Sequence, residues 1–236
     1  MVSLGTMPKM FEKKISMLMK ERGWEYIMTK TSMAPADVTT QVLQMKKFGC
    51  DYVYLYNSET AIIVWVRELE RQNYHPMLAG TSALASDEMW RAVGKSVVGA
   101  VMPQFSVQWT DTDIKGVQLL HELNAKWHPD VKSRPSHYCR GFTEFLVLAE
   151  ALDRAIKKVG YEKLTRDAMK DAMETIKDVD PMGMGMGYTW TPTDHQGLHG
   201  CRMYRWTEQG TLAPVTDWLR FPPLSAEQQT DVWWLQ

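Results

Sequence analysis

The segment from Asp51 to Ser82, DYVYLYNSETAIIVWVRELERQNYHPMLAGTS, constrains the fold more than any other part of this chain. Its opening residues are aromatic and β-branched, ETAIIVWVRELERQ repeats its apolar residues at helical spacing, and PMLAG starts at a proline and stops at a glycine. The order strand, helix, strand implies two parallel neighbours, so the chain is expected to form an α/β fold: a parallel sheet flanked by helices. Sheets wound this way hold small molecules outside the carboxyl ends of their strands. Those ends are Tyr56, Asn57 and Ser58 on one strand, and Thr81 and Ser82 on the next. These five are candidate ligand-binding residues; the competing reading is that their side chains only shape turns.

Around this unit, other boundaries announce themselves. Lys9 to Arg22 reads as an amphipathic helix stopped by Gly23, WEYIMTK as a strand, and Asp37 as a cap for a helix carrying Val38, Val42 and Met45 and closed near Gly49. Ser86 suits the N-cap of SDEMWRAV, whose acidic first turn favours the helix dipole, Gly94 ends it, and SVVGAVMP reads as a strand. From Gln104 the rhythm changes to helices alone. These are expected over 112–127, over 137–159 with Gly160 after it, and after Thr165 as cap. After PMGMGMG, the segments YTWTPTDHQG and CRMYRW read as the two arms of a β-hairpin, and LAPVTDWL as a last extended stretch.

The chain has 236 residues, of which 44% are hydrophobic and 23% charged, enough to bury one large core or two smaller ones. A net charge of −1 with both signs interspersed gives no footprint for nucleic acid or an anionic membrane. No apolar run reaches the ~18 residues of a membrane helix, and the start lacks the pattern of a signal peptide, so by itself the chain reads as cytoplasmic. Cys50, Cys139 and Cys201 are too few and too far apart for a disulfide framework or a Cys-rich metal site, and are expected to be buried free thiols.

Catalysis needs a nucleophile with a base in reach, or paired carboxylates facing a bond, and no such pattern is present. GxSxG, P-loop and GxGxxG motifs are absent. Asp194, His195 and His199 have metal-ligand residue types but sit in a turn-like stretch, where a four-residue spacing does not bring two imidazoles together. Met182, Met184 and Met186 alternate with glycine, which suits soft copper(I) or, more simply, a flexible crossing between two bodies. The expectation is a protein that binds and does not catalyse, with no cofactor and no metal.

Taken in order, these segments resemble the periplasmic solute-binding proteins of branched-chain amino acid ABC transporters, the type I receptors exemplified by the Leu/Ile/Val-binding protein. The resemblance spans about residues 10–218. It rests on DVTTQVLQMKKFGCDYVYLYN and PMLAGTS, similar to a βαβ unit of the second lobe, and on SVVGAVMPQ, similar to a hinge strand. HYCRGFTEFLVLAEALDRAIKKVG resembles the long helix returning to the first lobe, and TPTDHQG with CRMYRW the closing hairpin.

The resemblance implies two lobes that close by hinge motion on a small-molecule ligand and present it to ABC transporter permease subunits. Residues 1–103 and 186–218 would form the second lobe, 104–185 the helical part of the first, and 219–236 a C-terminal tail. Such receptors are longer and begin with a leader and a βα-rich lobe, so an N-terminally truncated receptor is expected, periplasmic as a full-length protein. Its helices over 112–177 would then show an uncovered apolar face and self-associate. In amino-acid-binding members, a tyrosine near the first hinge, another tyrosine and a glutamate contact the ligand. The matching positions here are Thr6, Ser58 and Ser82, and a serine hydroxyl cannot give an ammonium the charge-assisted bond that a carboxylate supplies. A neutral amide, an aromatic acid or another small carboxylate is therefore expected in place of a free α-amino acid. The alternative is a self-sufficient cytoplasmic α/β protein, a ligand-sensing domain or an enzyme, with those helices packed on the existing sheet.

Overall fold

A computed structural model describes residues 2–4 and 9–221; Thr6 and the end of the C-terminal segment lie outside the described residues. The chain divides into two compact units, 1–103 with 203–215, and 104–202 with 216–236.

The first unit is an α/β layer structure. Its strands are β1 (Val2–Leu4), β2 (Thr29–Thr31), β3 (Tyr52–Leu55), β4 (Met77–Gly80) and β5 (Val101–Gln104), side by side in the order β2-β1-β3-β4-β5. The pairings along this row are parallel, with Tyr52 opposite Met77 and Leu55 opposite Gly80. This is the expected parallel sheet. The helices are α1 (Lys9–Arg22), α2 (Thr39–Phe48), α3 (Glu59–Arg71) and α4 (Asp87–Val93).

Helix α3 supplies most of the core. Ile62, Trp65, Val66 and Leu69 recur at helical spacing, and all are buried in one cluster with Val53 and Leu55 of β3 and Val42 and Met45 of α2. Local chemistry fixes the boundaries. Gly49 takes φ 78° and closes α2, its N–H returning to Lys46 and Met45 carbonyls, a conformation a Cβ would penalise. At Gly80, an added Cβ would stand 2.8 Å from the Leu55 carbonyl, so the close approach of β3 and β4 at their carboxyl ends requires glycine.

At the end of α3, Glu68 accepts hydrogen bonds from Arg71 Nε at 2.7 Å and Nη2 at 2.6 Å, and from the Gln72 amide. The Arg71 guanidinium is the main cause that holds the Glu68 carboxyl down to about 2, against the opposing effect of partial burial. A folded-state pKa below the unfolded value adds stability above the unfolded pKa, and that stability is lost as pH falls. Discounted for solvent screening, Glu68→Gln is expected to cost on the order of 1 kcal/mol at pH 7. The difference should vanish as pH drops from about 4.5 to about 2, as urea unfolding across that range measures.

The second unit contains α5 (Lys115–Trp127), α6 (Ser136–Val159), α7 (Arg166–Met173), and the hairpin of β6 (Tyr188–Thr191) and β7 (Asp194–Leu198). Two clusters hold it. Val107, Val117, Leu120, Cys139 and Met184 form one; Val147, Ala151, Ile176 and Tyr188 form the other, with Trp190 and Leu198 packed alongside. Thr165 accepts the Ala168 N–H at 3.1 Å to start α7, and Gly160 follows α6 at φ 82°.

Several expectations need correction. The strand expected over WEYIMTK is confined to Thr29–Thr31, and SVVGAVMP begins with a 3₁₀ turn, Gly94–Val97, before β5. The hairpin closes within YTWTPTDHQGL, β6 on β7, through a turn at Pro192 and Thr193; Gly197, inside β7 and opposite Thr189, adopts φ 75° where the register shifts, close beneath the Trp190 ring. CRMYRW instead forms β8 (Gly200–Trp206), which pairs with β9 (Leu212–Pro214), neighbours β5, and begins in the second unit paired with β10 (Leu219–Arg220). The return to the first unit therefore falls at Met203 and not at 186. Residues 186–202 stay with the helices because Tyr188, Trp190 and Leu198 are in the Val147–Ile176 cluster. Leu219 and Arg220, expected in a tail, are strand.

The thiols of Cys50, Cys139 and Cys201 are free, and burial raises the pKa of Cys201. No helix among the described residues is long and apolar enough to cross a membrane.

Candidate solute-binding edge

The carboxyl ends of β3 and β4 are adjacent, joined residue for residue up to Leu55 and Gly80. Beyond Leu55 the chain continues as Tyr56, Asn57 and Ser58 into α3; beyond Gly80 it continues as Thr81 and Ser82 into a 3₁₀ turn, Ser82–Ala85. The Thr81 N–H still donates to the Leu55 carbonyl at 3.2 Å, which carries the strand pairing one residue past the assigned end. The sequence-derived candidates Tyr56, Asn57, Ser58, Thr81 and Ser82 therefore do come together on one edge. Thr6 lies outside the described residues.

Their side chains divide into two groups. Asn57 is 6% exposed, and its amide nitrogen donates to Thr31 Oγ1 at 3.2 Å and to the Ser32 carbonyl at 3.3 Å, while Oδ1 accepts the Ser58 N–H at 2.8 Å. Ser58 Oγ donates to the Met33 carbonyl at 2.7 Å and accepts the Ala61 N–H at 3.4 Å, capping α3. Both residues thus fasten the loop after β2 to the start of α3. They shape the edge from beneath. Asn57→Ala would leave the Ser58 N–H and the Thr31 and Ser32 oxygens without this partner, and is expected to cost about 1–3 kcal/mol, measured by urea unfolding.

Thr81 and Ser82 form the second group. Both are half-buried, the Thr81 hydroxyl makes no capping bond, and among the described residues neither hydroxyl has a hydrogen-bond partner. Tyr56 is also half-buried at this edge. Strand alternation turns Val53 and Leu55 into the core and places Tyr54 and Tyr56 on the other face. Burial raises the Tyr54 phenol, with the neighbouring Tyr56 phenol adding to the effect.

One residue at this edge escaped sequence reasoning. Glu59, the first residue of α3, accepts the Ser86 hydroxyl at 2.6 Å, while Ser86 Oγ accepts the Met89 N–H at 3.0 Å and so caps α4. A carboxylate is therefore present at the carboxyl side of the sheet. No spacing rule links residues 59 and 86; the contact is tertiary.

The other residues singled out for chemistry are dispersed. His195 Nε2 lies 2.8 Å from Glu174 Oε1, whereas His199 Nε2 lies 3.5 Å from Asp194 Oδ2, so the two imidazoles serve different carboxylates. Glu174 is held below the usual carboxylate range chiefly by Lys170, then by His195. Among the described residues no group of three His, Cys, Asp or Glu could hold a metal. Met184 is buried against Gly116 and Met186 against Gly200, while Met182 is exposed. A cavity of about 290 Å³ in the first unit lies near the amino end of β4, beside Tyr74, His75, Pro76 and Lys95, away from this edge.

A family model described as "Periplasmic binding protein" matches residues 7–211. No curated protein sequence matches. Among solved structures, the chain is similar to a branched-chain amino acid ABC transporter protein from Thermus thermophilus with bound valine, at a TM-score of 0.76 and 16% identity over 97% of this chain and 61% of that one. It is similar to a leucine-binding protein from Thermotoga maritima, at 0.73 and 12% identity, covering 93% and 59%. A third is the fatty acid ABC transporter substrate-binding protein from Thermomonospora curvata, at 0.73 and 16%, covering 98% and 58%. The chain thus spans about three fifths of the length of the structures it matches.

Proposed function

Since the chain belongs to the periplasmic binding protein family, we propose that it acts as the solute-binding component of an ABC importer, taking a small solute at the carboxyl ends of β3 and β4 for delivery to permease subunits. Full-length members of the family are periplasmic, and this is the setting proposed here. The family and its solved neighbours are transport binding proteins, which perform no chemistry on their solute.

The observation that carries the reading is that Thr81 and Ser82, two half-buried residues, have hydroxyls without hydrogen-bond partners among the described residues, on a strand end adjacent to that of Tyr56. A hydroxyl without a protein partner gains by hydrogen-bonding a ligand and loses by being covered without one. Hydroxyls donate to and accept from neutral amides, and donate to carboxylates. Neither Ser58 nor Ser82 offers a negative charge to an ammonium group. A neutral amide, an aromatic acid or another small carboxylate is the solute class favoured.

Two-lobed receptors close because the solute contacts both lobes, so an edge on one unit supplies only part of the binding energy. Calorimetry of this chain with benzamide and benzoate should accordingly show at most millimolar affinity. Micromolar binding of leucine or valine would refute the solute class, and would make Glu59 the counter-ion to examine.

A further inference from the structure

Tyr188 brings a polar group into an apolar cluster. The residue is 5% exposed, its ring is held with Val147, Ala151 and Ile176, and it stacks on Trp190 with centroids 5.5 Å apart. Its hydroxyl has no hydrogen-bond partner among the described residues. A tyrosine this deep ordinarily finds one, and a phenylalanine would fill the same space without the cost of an unpaired polar group.

The hydroxyl end is turned toward a cleft. Within the second unit, Phe105, Leu148, Tyr188, Trp190, Leu198 and Phe221 enclose about 530 Å³, a volume that holds a drug-sized molecule and exceeds what a single ring fills. Arg140 and Glu144 are also walls of it. Burial first, then the Glu144 carboxylate, push the Tyr188 phenol up to about 12, with Arg140 opposing, so the phenol oxygen lies on the side of these two walls. Leu148 is where the cleft meets the exposed apolar stripe of α6 expected from the sequence, on which Phe145, Leu148 and Leu152 are 60%, 49% and 37% exposed.

The charges in the wall are engaged with each other. Arg140 Nε donates to Glu144 Oε1 at 2.9 Å, and the guanidinium lies over the Phe105 ring at 4.9 Å. An anion in the cleft would meet Glu144 and a cation would meet Arg140, whereas an uncharged molecule leaves the pair intact. The other polar group is Gln196, whose Nε2 donates to the Leu198 carbonyl at 3.1 Å and whose Oε1 has no partner among the described residues.

We propose that this cleft is a second binding site, separate from the β3–β4 edge, for an uncharged aromatic molecule of two or more rings that carries a hydrogen-bond acceptor. The rings lie against Trp190, Leu148 and Phe221, and the acceptor takes the Tyr188 hydroxyl.

Quinoline and naphthalene share one shape and differ by an acceptor nitrogen, so titrating the isotope-labelled full chain with each, at a pH where quinoline is uncharged, tests the site. Both should give saturable shifts at Tyr188, Trp190 and Leu198, quinoline with a Kd of about 1 mM or tighter, within the efficiency small ligands reach. Tyr188→Phe removes a hydroxyl without a protein partner, so the fold should hold while quinoline binds roughly fivefold more weakly and naphthalene is unaffected. Leu148→Trp, at a side chain that is half exposed, should fill the cleft and abolish binding of both. Shifts that do not saturate, an equal loss of both probes in Tyr188→Phe, or saturable shifts that survive Leu148→Trp would overturn the proposal. So would shifts at these residues that follow protein concentration without either probe, which would assign the cleft to a second copy.

Discussion

Trp206→Ala is expected to destabilise the first unit by about 3–5 kcal/mol, the range for emptying a buried tryptophan site. Trp206 is 2% exposed, stacks on Trp90 with centroids 5.5 Å apart, and donates its indole N–H to the Leu84 carbonyl at 2.8 Å. That hydrogen bond spans 122 residues of sequence. It anchors the 3₁₀ turn Ser82–Ala85 and with it the position of Ser82 at the proposed solute edge. Truncation removes ring contacts from Trp90 and leaves a buried carbonyl unpaired. Trp206→Phe retains most of the packing and loses only the hydrogen bond, so its cost should be nearer 1–3 kcal/mol. Urea unfolding gives both values; a cost for Trp206→Ala below about 1 kcal/mol would mean that this strand does not hold the edge.

Gly197→Val should cost about 2–5 kcal/mol in the second unit, from two separable sources. Gly197 lies at φ 75°, where a β-branched residue is most strained, and a Cβ there would run into the Trp190 indole. Strain and overpacking each contribute about 1–3 kcal/mol. Gly197→Ala shares the strained backbone and most of the ring contact, and should fall at the lower end. The damage should be local to β6, β7 and the Tyr188–Trp190 stack. Thermal unfolding combined with near-ultraviolet circular dichroism separates that local loss from any change in the first unit.

The features legible in the sequence are those whose physics is local. Gly49 and Gly160 stop helices because positive φ is open to glycine, and Ser86 and Thr165 start them because a hydroxyl reaches an N–H three residues on. The strand-helix-strand unit over Asp51–Gly80 is likewise set by periodicity, and its two strands pair in parallel as expected.

Partnerships between distant segments were not legible. YTWTPTDHQG and CRMYRW are both good strand formers, but nothing in their patterns shows that the first folds on itself at Pro192 and Thr193 while the second joins β5, β9 and β10. The same limit applies at the site. Asn57 and Ser58 look identical in sequence whether they hold a ligand or hold the chain, and only the placement of Thr31, Ser32 and Met33 shows that they do the latter. Thr81 and Ser82, by contrast, keep the ligand reading because tertiary structure brings them no partner among the described residues.

The most direct measurement for that reading is titration of the isotope-labelled chain with benzamide and with benzoate, followed by backbone amide shifts. The account predicts saturable shifts at Thr81, Ser82 and Ser58, abolished in Thr81→Val/Ser82→Ala, with His75 and Lys95 at the other end of the sheet unmoved. Shifts centred on His75 and Lys95, or saturable shifts that survive loss of both hydroxyls, would contradict it.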